Sequence, residues 1–269
     1  MAHAIEPYKA GVFDLPHKLT VETHGHTALI TINQPPANNW DHDSLIGLRQ
    51  VLEHLNRDDG VYALVISGHG EKFFSAGIDP KLFANGDRVY AWEIAQRLGK
   101  AFEALRDFRG ISIAAINGFA LGAGLECALA CDVRIAERQV QLGFPEAAHG
   151  LMPCAGGIRL LPQLVGIGWA KRMLLCGERI DAETAVRIGL IEQQVDPGES
   201  RRHALLMAGR IARQSPMATQ AIKLLLNANA RENPGPAERE AFVALFDTED
   251  AREGINAFLE QREPNWRNL

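Results

Sequence analysis

Residues 113–133, Ile-Ala-Ala-Ile-Asn-Gly-Phe-Ala-Leu-Gly-Ala-Gly-Leu-Glu-Cys-Ala-Leu-Ala-Cys-Asp-Val, narrow the available folds more than any other stretch of the chain. The pattern predicts a strand over 111–117, a small-residue turn from Gly118, a helix over 124–130 and a second strand over 132–136. Such a turn presents free N–H groups at a helix N-terminus, a place that favours negative charge. A phosphate cradle is the first rival reading. The glycine spacing is G-x-x-x-G-x-G, however, and no G-K-[ST] follows. Glu126 would also stand in the first helical turn and repel a docked phosphate. A developing oxyanion beside an acid/base carboxyl fits better. Read alone, a glutamate placed for the helix dipole remains the simpler account of Glu126.

Upstream, residues 18–23 and 27–32 alternate around Gly25 and predict a hairpin. Asp41 caps a helix carrying Leu45, Leu48, Val51, Leu52 and Leu55. A buried strand over 61–67 leads into a glycine-bearing loop over 68–77, and helical periodicity returns over 88–108. Downstream lie two short helices, 157–165 and 169–175. A helix over 182–188 is capped by Asp181, and a last strand spans 191–195. From Ser200 the strand signal ends, and helices are predicted near 200–213, 216–230, 236–247 and 249–261. A β-rich body followed by a helical tail predicts an α/β core over 1–199 with a helical region over 200–269 for packing and oligomerisation. Asn233-Pro-Gly-Pro reads as a turn.

The 269 residues suffice for one large domain or a domain with a helical appendage, and 46% apolar with 23% charged residues is ordinary for a globular chain. A net charge of −5 shows no basic face of the kind that binds duplex nucleic acid. Cys127, Cys131, Cys154 and Cys176 form no C-x-x-C and lack the histidine spacing of a metal site, so buried free thiols in a reducing compartment are expected. Residues 1–16 carry no apolar signal region, and no apolar run is long enough to span a membrane. A cytoplasmic protein is the expectation.

Two further segments bear chemistry. In Phe73-Phe-Ser-Ala-Gly-Ile-Asp-Pro-Lys81, Gly77 permits a sharp turn that can aim the Ile78 N–H into a cavity. In residues 142–157, Glu146 follows Pro145 and opens a short helix. Each has an ordinary structural reading when taken alone.

Together, in this order, the three segments resemble the enoyl-CoA hydratase/isomerase (crotonase) superfamily. Gly122-Ala123-Gly124 and Ala130-Cys131-Asp132 fit its signature. Ser75-Ala76-Gly77-Ile78-Asp79 is similar to its other half-site. Phe144-Pro145-Glu146, Gly150-Leu151-Met152-Pro153 and Gly156-Gly157 match the block that follows. The resemblance runs from about Val21 to Trp266.

It implies a spiral of β-β-α units with a helical C-terminal region, assembled as a homotrimer or as a hexamer built from two trimers. It implies an acyl-CoA substrate, with coenzyme A part of that substrate and no separate cofactor or metal. The thioester oxygen would sit between the backbone N–H groups of Ile78 and Ala123. Glu126 and Glu146 would be the acid/base pair that adds water reversibly across the 2,3 double bond of a 2-enoyl-CoA. Ala76, Gly77, Asp79, Lys81 and Gly122 would line the substrate or CoA site, with Lys81 near the phosphates or adenine. Phe83, Tyr90, Trp92 and Ile94 fall in the region that shapes the acyl pocket. Two departures stand out: Gln261 replaces a lysine of some hydratases, and Cys154 replaces a glycine common in the hydratase loop. A Δ3-Δ2 isomerase, a specialised dehydratase or an acyl-CoA lyase would use the same oxyanion site. An RNA-binding relative with a vestigial pocket is the alternative of another class. His149 reads as a helix-packing or surface residue, and His24 and His26, which flank a hairpin turn, read as exposed.

Overall fold

The computed structural model describes residues 6–7, 18–83, 86–228 and 235–269. The strands are β1 (Glu6–Pro7), β2 (Leu19–His24), β3 (Thr27–Ile32), β4 (Ala63–Gly68), β5 (Phe73–Ser75), β6 (Ile111–Ile116), β7 (Phe119–Leu121), β8 (Val133–Glu137), β9 (Gln141–Gly143), β10 (Ile180–Asp181) and β11 (Gln193–Val195). The helices are α1 (His42–Leu55), α2 (Arg88–Arg106), α3 (Ala123–Ala130), α4 (Gly157–Leu175), α5 (Ala182–Arg187), α6 (Ser200–Ile211), α7 (Pro216–Asn227), α8 (Gly235–Ala244) and α9 (Glu249–Leu259). Part of the Asn233-Pro-Gly-Pro turn, the end of the helix expected over 216–230 and most of the N-terminal segment lie outside the described residues.

The larger sheet has the order β1-β2-β3-β4-β6-β8-β11. The β2–β3 hairpin is antiparallel, and from β3 to β11 every pairing is parallel. Parallel strands need crossovers, so helices cover both faces. The period of two divides the strand residues accordingly. Ile30, Leu64, Ile66, Ala114 and Ile116 face one core, shared with α1, α2, α3 and α4. Leu29, Val65, Ile113 and Ile135 face a second, smaller core, closed by Ala204 and Ala208 of α6. The helical region thus begins with the element that seals the back of the sheet. Buried Glu137 fixes the start of α6 by accepting from Ser200 N at 3.2 Å and Ser200 Oγ at 2.7 Å. Arg201 adds a bond to the Gly68 carbonyl at 2.7 Å.

A second sheet, ordered β10-β9-β7-β5, carries the site. Its strands are two or three residues long, too short for a periodicity signal, and the sequence reading assigned β5 to a loop and β7 to a turn. The two helices expected over 157–165 and 169–175 are present: they share the label α4 but are separated at Gly166, whose φ of 75° is not helical. Cys127 and Cys131 are buried as expected, but Cys154 and Cys176 are exposed. His26 is exposed and stacks on Tyr62 at 4.2 Å between ring centroids, whereas His24 is half-buried. Among the described residues no helix is long and apolar enough to cross a membrane, and no group of three or more metal-ligating side chains occurs.

A buried cation ties α7 to the body. Lys223 Nζ donates to Phe108 O at 2.6 Å, Gly110 O at 2.9 Å and Asp132 Oδ2 at 2.8 Å. The same Asp132 oxygen accepts from Ser112 N and Oγ. Replacing Lys223 by Met would leave two carbonyls and a half-buried carboxylate short of a donor. Urea denaturation of Lys223→Met is therefore expected to show a loss of about 3 kcal/mol, the lower end for breaking a buried pair.

Candidate active site

Helix α3 is buried along its whole length, an unusual setting for the one carboxylate on it. Glu126 is 1% exposed. Its Oε1 accepts from Ala155 N and Gly157 N, both at 2.8 Å. The loop before α4 therefore supplies what an ionised carboxylate needs once it has lost water. Burial still pushes the Glu126 carboxyl above its ordinary value, against the opposing effect of the Gly157, Ala155 and Cys154 amides.

Glu146 reaches the same place from a different element, the short 3-10 helix Glu146–His149. Gly122, the residue capping α3, has φ of 55°, and a Cβ there would stand 2.5 Å from Glu146 Oε1. The second carboxylate thus lies against the N-terminus of the helix that holds the first. Its Oε2 is buried and has no partner among the described residues. Burial is the main reason its carboxyl is pushed up to about 7, and the charge of Glu126 adds to the effect. Carboxyl groups so placed cannot both ionise freely.

Two amides complete the arrangement. Gly77 has φ of 92°, and a Cβ there would lie 2.8 Å from Leu121 O and 3.2 Å from Ala123 N. The turn before Ile78 is consequently pressed against the first residue of α3. It is held from behind by the segment after β3: Trp40 N donates to Gly77 O at 2.7 Å, and Ala76 N donates to Ala37 O at 2.9 Å. Ala123 is the first residue of its helix and has no intrahelical acceptor. Neither Ile78 N nor Ala123 N has a hydrogen-bond acceptor among the described residues. Gly124 permits the close approach of β5, since a Cβ there would fall 2.1 Å from Ser75 O.

The structure therefore gathers Gly77, Ile78, Gly122, Ala123, Glu126 and Glu146 at one place, with Ala76 half-buried beside them. Asp79 turns outward to cap the 3-10 helix Pro80–Phe83, accepting from Lys81 N at 3.0 Å, and Lys81 is exposed on that helix. Of the expected acyl-pocket residues, Ile94 is buried while Trp92 is 65% exposed. His149 is exposed and its Nδ1 lies 3.0 Å from Pro145 O, closing its own short helix. Sequence reasoning missed the Ala155 and Gly157 amides and the isolated bridge that supports the turn at Trp40. Backbone donors carry no side-chain signature; the small residues Ala155-Gly156-Gly157 were the available hint.

The sequence profile of the enoyl-CoA hydratase/isomerase family matches residues 22–268, almost the whole of this arrangement. The chain belongs to that family. Among relatives of the enoyl-CoA hydratase/isomerase type, the short-chain-enoyl-CoA hydratase of Clostridium acetobutylicum is 35% identical, over 91% of this chain and 96% of its own. The 2,3-dehydroadipyl-CoA hydratase of Escherichia coli is 37% identical over 93% of this chain and 98% of its own. Among solved structures, Pseudomonas aeruginosa DspI is 67% identical and superposes with a TM-score of 0.93, covering 96% of this chain and all of that one. An enoyl-CoA hydratase from Bacillus anthracis, 31% identical, superposes with a TM-score of 0.90 over 94% of this chain and all of that one.

The raised Glu146 carboxyl has a consequence for stability. Above the ordinary value of 4.5 the unfolded chain gives up this proton, while the folded chain keeps it until about pH 7. Stability attached to this group is whole below the lower value and falls as pH rises through the upper one. Glu146→Gln cannot ionise. Its melting temperature is expected to gain on wild type by roughly 2 °C between pH 5 and pH 8; a constant difference between the two proteins would refute the assignment.

Proposed function

We propose that the protein is an enoyl-CoA hydratase acting on a 2-enoyl-CoA, with Glu126 and Glu146 as its acid/base pair and the Ile78 and Ala123 amides as its oxyanion site. The observation that carries this reading is the convergence of two unlike carboxyl groups on a helix N-terminus whose first amide, with the amide of Ile78, has no acceptor within the described chain.

In the hydration direction the enoyl thioester places its carbonyl oxygen between the two amides. As water adds to C3, electron density moves through the double bond to that oxygen, where the N–H dipoles receive it without reorganising. Loss of one such donor typically costs about 2.7–4 kcal/mol of barrier. The proton released by the attacking water passes to one carboxylate, and C2 takes a proton from the other carboxyl, so the pair holds the same number of protons before and after. A carboxyl near 7 suits the task, since it gives and takes a proton with little cost at neutral pH. Glu126, with Oε1 bound by two amides, is the better oriented of the two.

On this reading coenzyme A enters as part of the substrate, approaching past Ala76, Asp79 and Lys81, and no resident cofactor, metal or nucleic acid takes part. The unpaired thiols suit a cytoplasmic enzyme. Leu226 on α7, Phe242 and Val243 on α8 and Phe258 and Leu259 on α9 are exposed by 62–83%, and exposed apolar side chains on the helical region suit burial between subunits. Sedimentation equilibrium is expected to give a homotrimer or a hexamer, and a stable monomer would refute this part of the proposal.

The enzymatic test follows loss of the enoyl-thioester ultraviolet band when protein is added to crotonyl-CoA, with 3-hydroxyacyl-CoA identified by mass. Glu126→Gln and Glu146→Gln are each expected to lower kcat by about 10²–10⁴-fold. Wild-type rates in both folded variants would overturn the reading.

A further inference from the structure

The two amides of the oxyanion site differ in what stands behind them. A trans peptide carries its C=O and N–H on opposite sides. The direction of each N–H is therefore set by what holds the carbonyl of the residue before it. For Ala123 that carbonyl is Gly122 O, which accepts from Glu126 N at 3.0 Å at the start of α3. The Ala123 N–H thus shares the dipole of a helix. The Ile78 N–H has no helix behind it, since its peptide lies between β5 and the four-residue 3-10 helix Pro80–Phe83. Gly77 O instead receives two donors: Trp40 N at 2.7 Å and Asn39 Nδ2 at 3.3 Å. The half-buried Asn39 amide faces a carbonyl oxygen, so its NH2 and not its oxygen must be turned toward it. No other side chain bonds this carbonyl among the described residues.

The need for a second donor lies in Gly77. With φ of 92° and no side chain, this residue tolerates backbone angles closed to others. The peptide after it can rotate at little steric cost, and a rotated peptide would turn a carbonyl toward the place where the N–H is needed. Two donors on one oxygen oppose that rotation. They also polarise the peptide, because hydrogen bonds in series strengthen one another away from water. Asn39 is delivered from a rigid backbone. The next residue, Trp40, is 0% exposed and meets the Phe102 ring edge-on, with 5.6 Å between centroids. The residue after that, Asp41, caps α1.

We propose that Asn39 is a positioning residue for the oxyanion site: its side-chain amide, together with the Trp40 N–H, locks and polarises the Gly77–Ile78 peptide so that the Ile78 N–H stays aimed at the thioester oxygen. The inference rests on the hydratase reading above. Asn39 touches no substrate atom in this role, and its whole effect passes through Gly77 O.

The test measures kcat and KM for crotonyl-CoA in wild type, in Asn39→Ala, which removes the donor, and in Asn39→Asp, which keeps the shape but sets an acceptor against Gly77 O. In Asn39→Ala, kcat and kcat/KM are expected to fall together by about 3–10-fold, the size of one neutral hydrogen bond. That is well short of the roughly 10²–10³-fold lost with a whole oxyanion donor. Asn39→Asp is expected to fall further. A second readout needs no turnover: p-dimethylaminocinnamoyl-CoA absorbs at longer wavelength as its carbonyl is polarised. Its band is expected to shift less on binding to either variant than on binding to wild type. A residue that merely supported the fold would change the melting temperature and leave this shift alone. An unchanged kcat, or an unchanged band shift at saturation, in folded Asn39→Ala overturns this inference alone. So does a rise in KM at constant kcat, which would make Asn39 a binding contact. If Asn39→Ala does not fold, Asn39→Asp decides by the same criteria. Wild-type protein that neither hydrates crotonyl-CoA nor binds any acyl-CoA overturns the hydratase reading and the inference together.

Discussion

The molecule is organised around one unfavourable placement, a carboxylate on a helix with no exposed face. Glu126 belongs to the first turn of α3, where the helix dipole favours it, but burial opposes its charge. The Ala155 and Gly157 amides compensate, and they can do so only if residues 153–157 pass directly over the helix. That requirement fixes where α4 starts. The small sheet brings Ser75 against Gly124 and Gly143 against Gly122, so the same helix N-terminus is reached by every strand that bears on the site.

The two carboxyl groups differ because their surroundings do. Glu126 is held by backbone donors from a neighbouring loop, while one oxygen of Glu146 is buried with no partner among the described residues. Burial raises both carboxyl groups above their ordinary value, while the hydrogen-bond partners that oppose or fail to oppose that shift differ between them.

Much of this was legible in the sequence, for identifiable reasons. The long helices α1 and α2 and the strands β3, β4 and β6 carry enough residues to display a period, and their expected positions agree with the structure to within a few residues. Asp41 and Asp181 cap α1 and α5 as their chemistry suggests. Glu126, Glu146 and the Gly77 turn were recognisable because three spaced segments agree in order. The small sheet was not legible, because two- or three-residue strands show no alternation. Nor were the loop amides on Glu126, since any residue but proline offers the same donor. The break within α4 was legible too, because Gly166 interrupts the local pattern and its non-helical backbone separates the two helical pieces.

The way α6 closes the back of the larger sheet also bears on how the chain is made. Leu29, Val65, Ile113 and Ile135 are laid down over more than a hundred residues, yet their cover, Ala204 and Ala208, lies well beyond the last of them. During synthesis from the N-terminus, at about 5–20 residues per second, a nearly complete parallel sheet would emerge with one apolar face bare for several seconds. That interval, rather than any weakness of the finished protein, is when a nascent chain of this design most needs a chaperone.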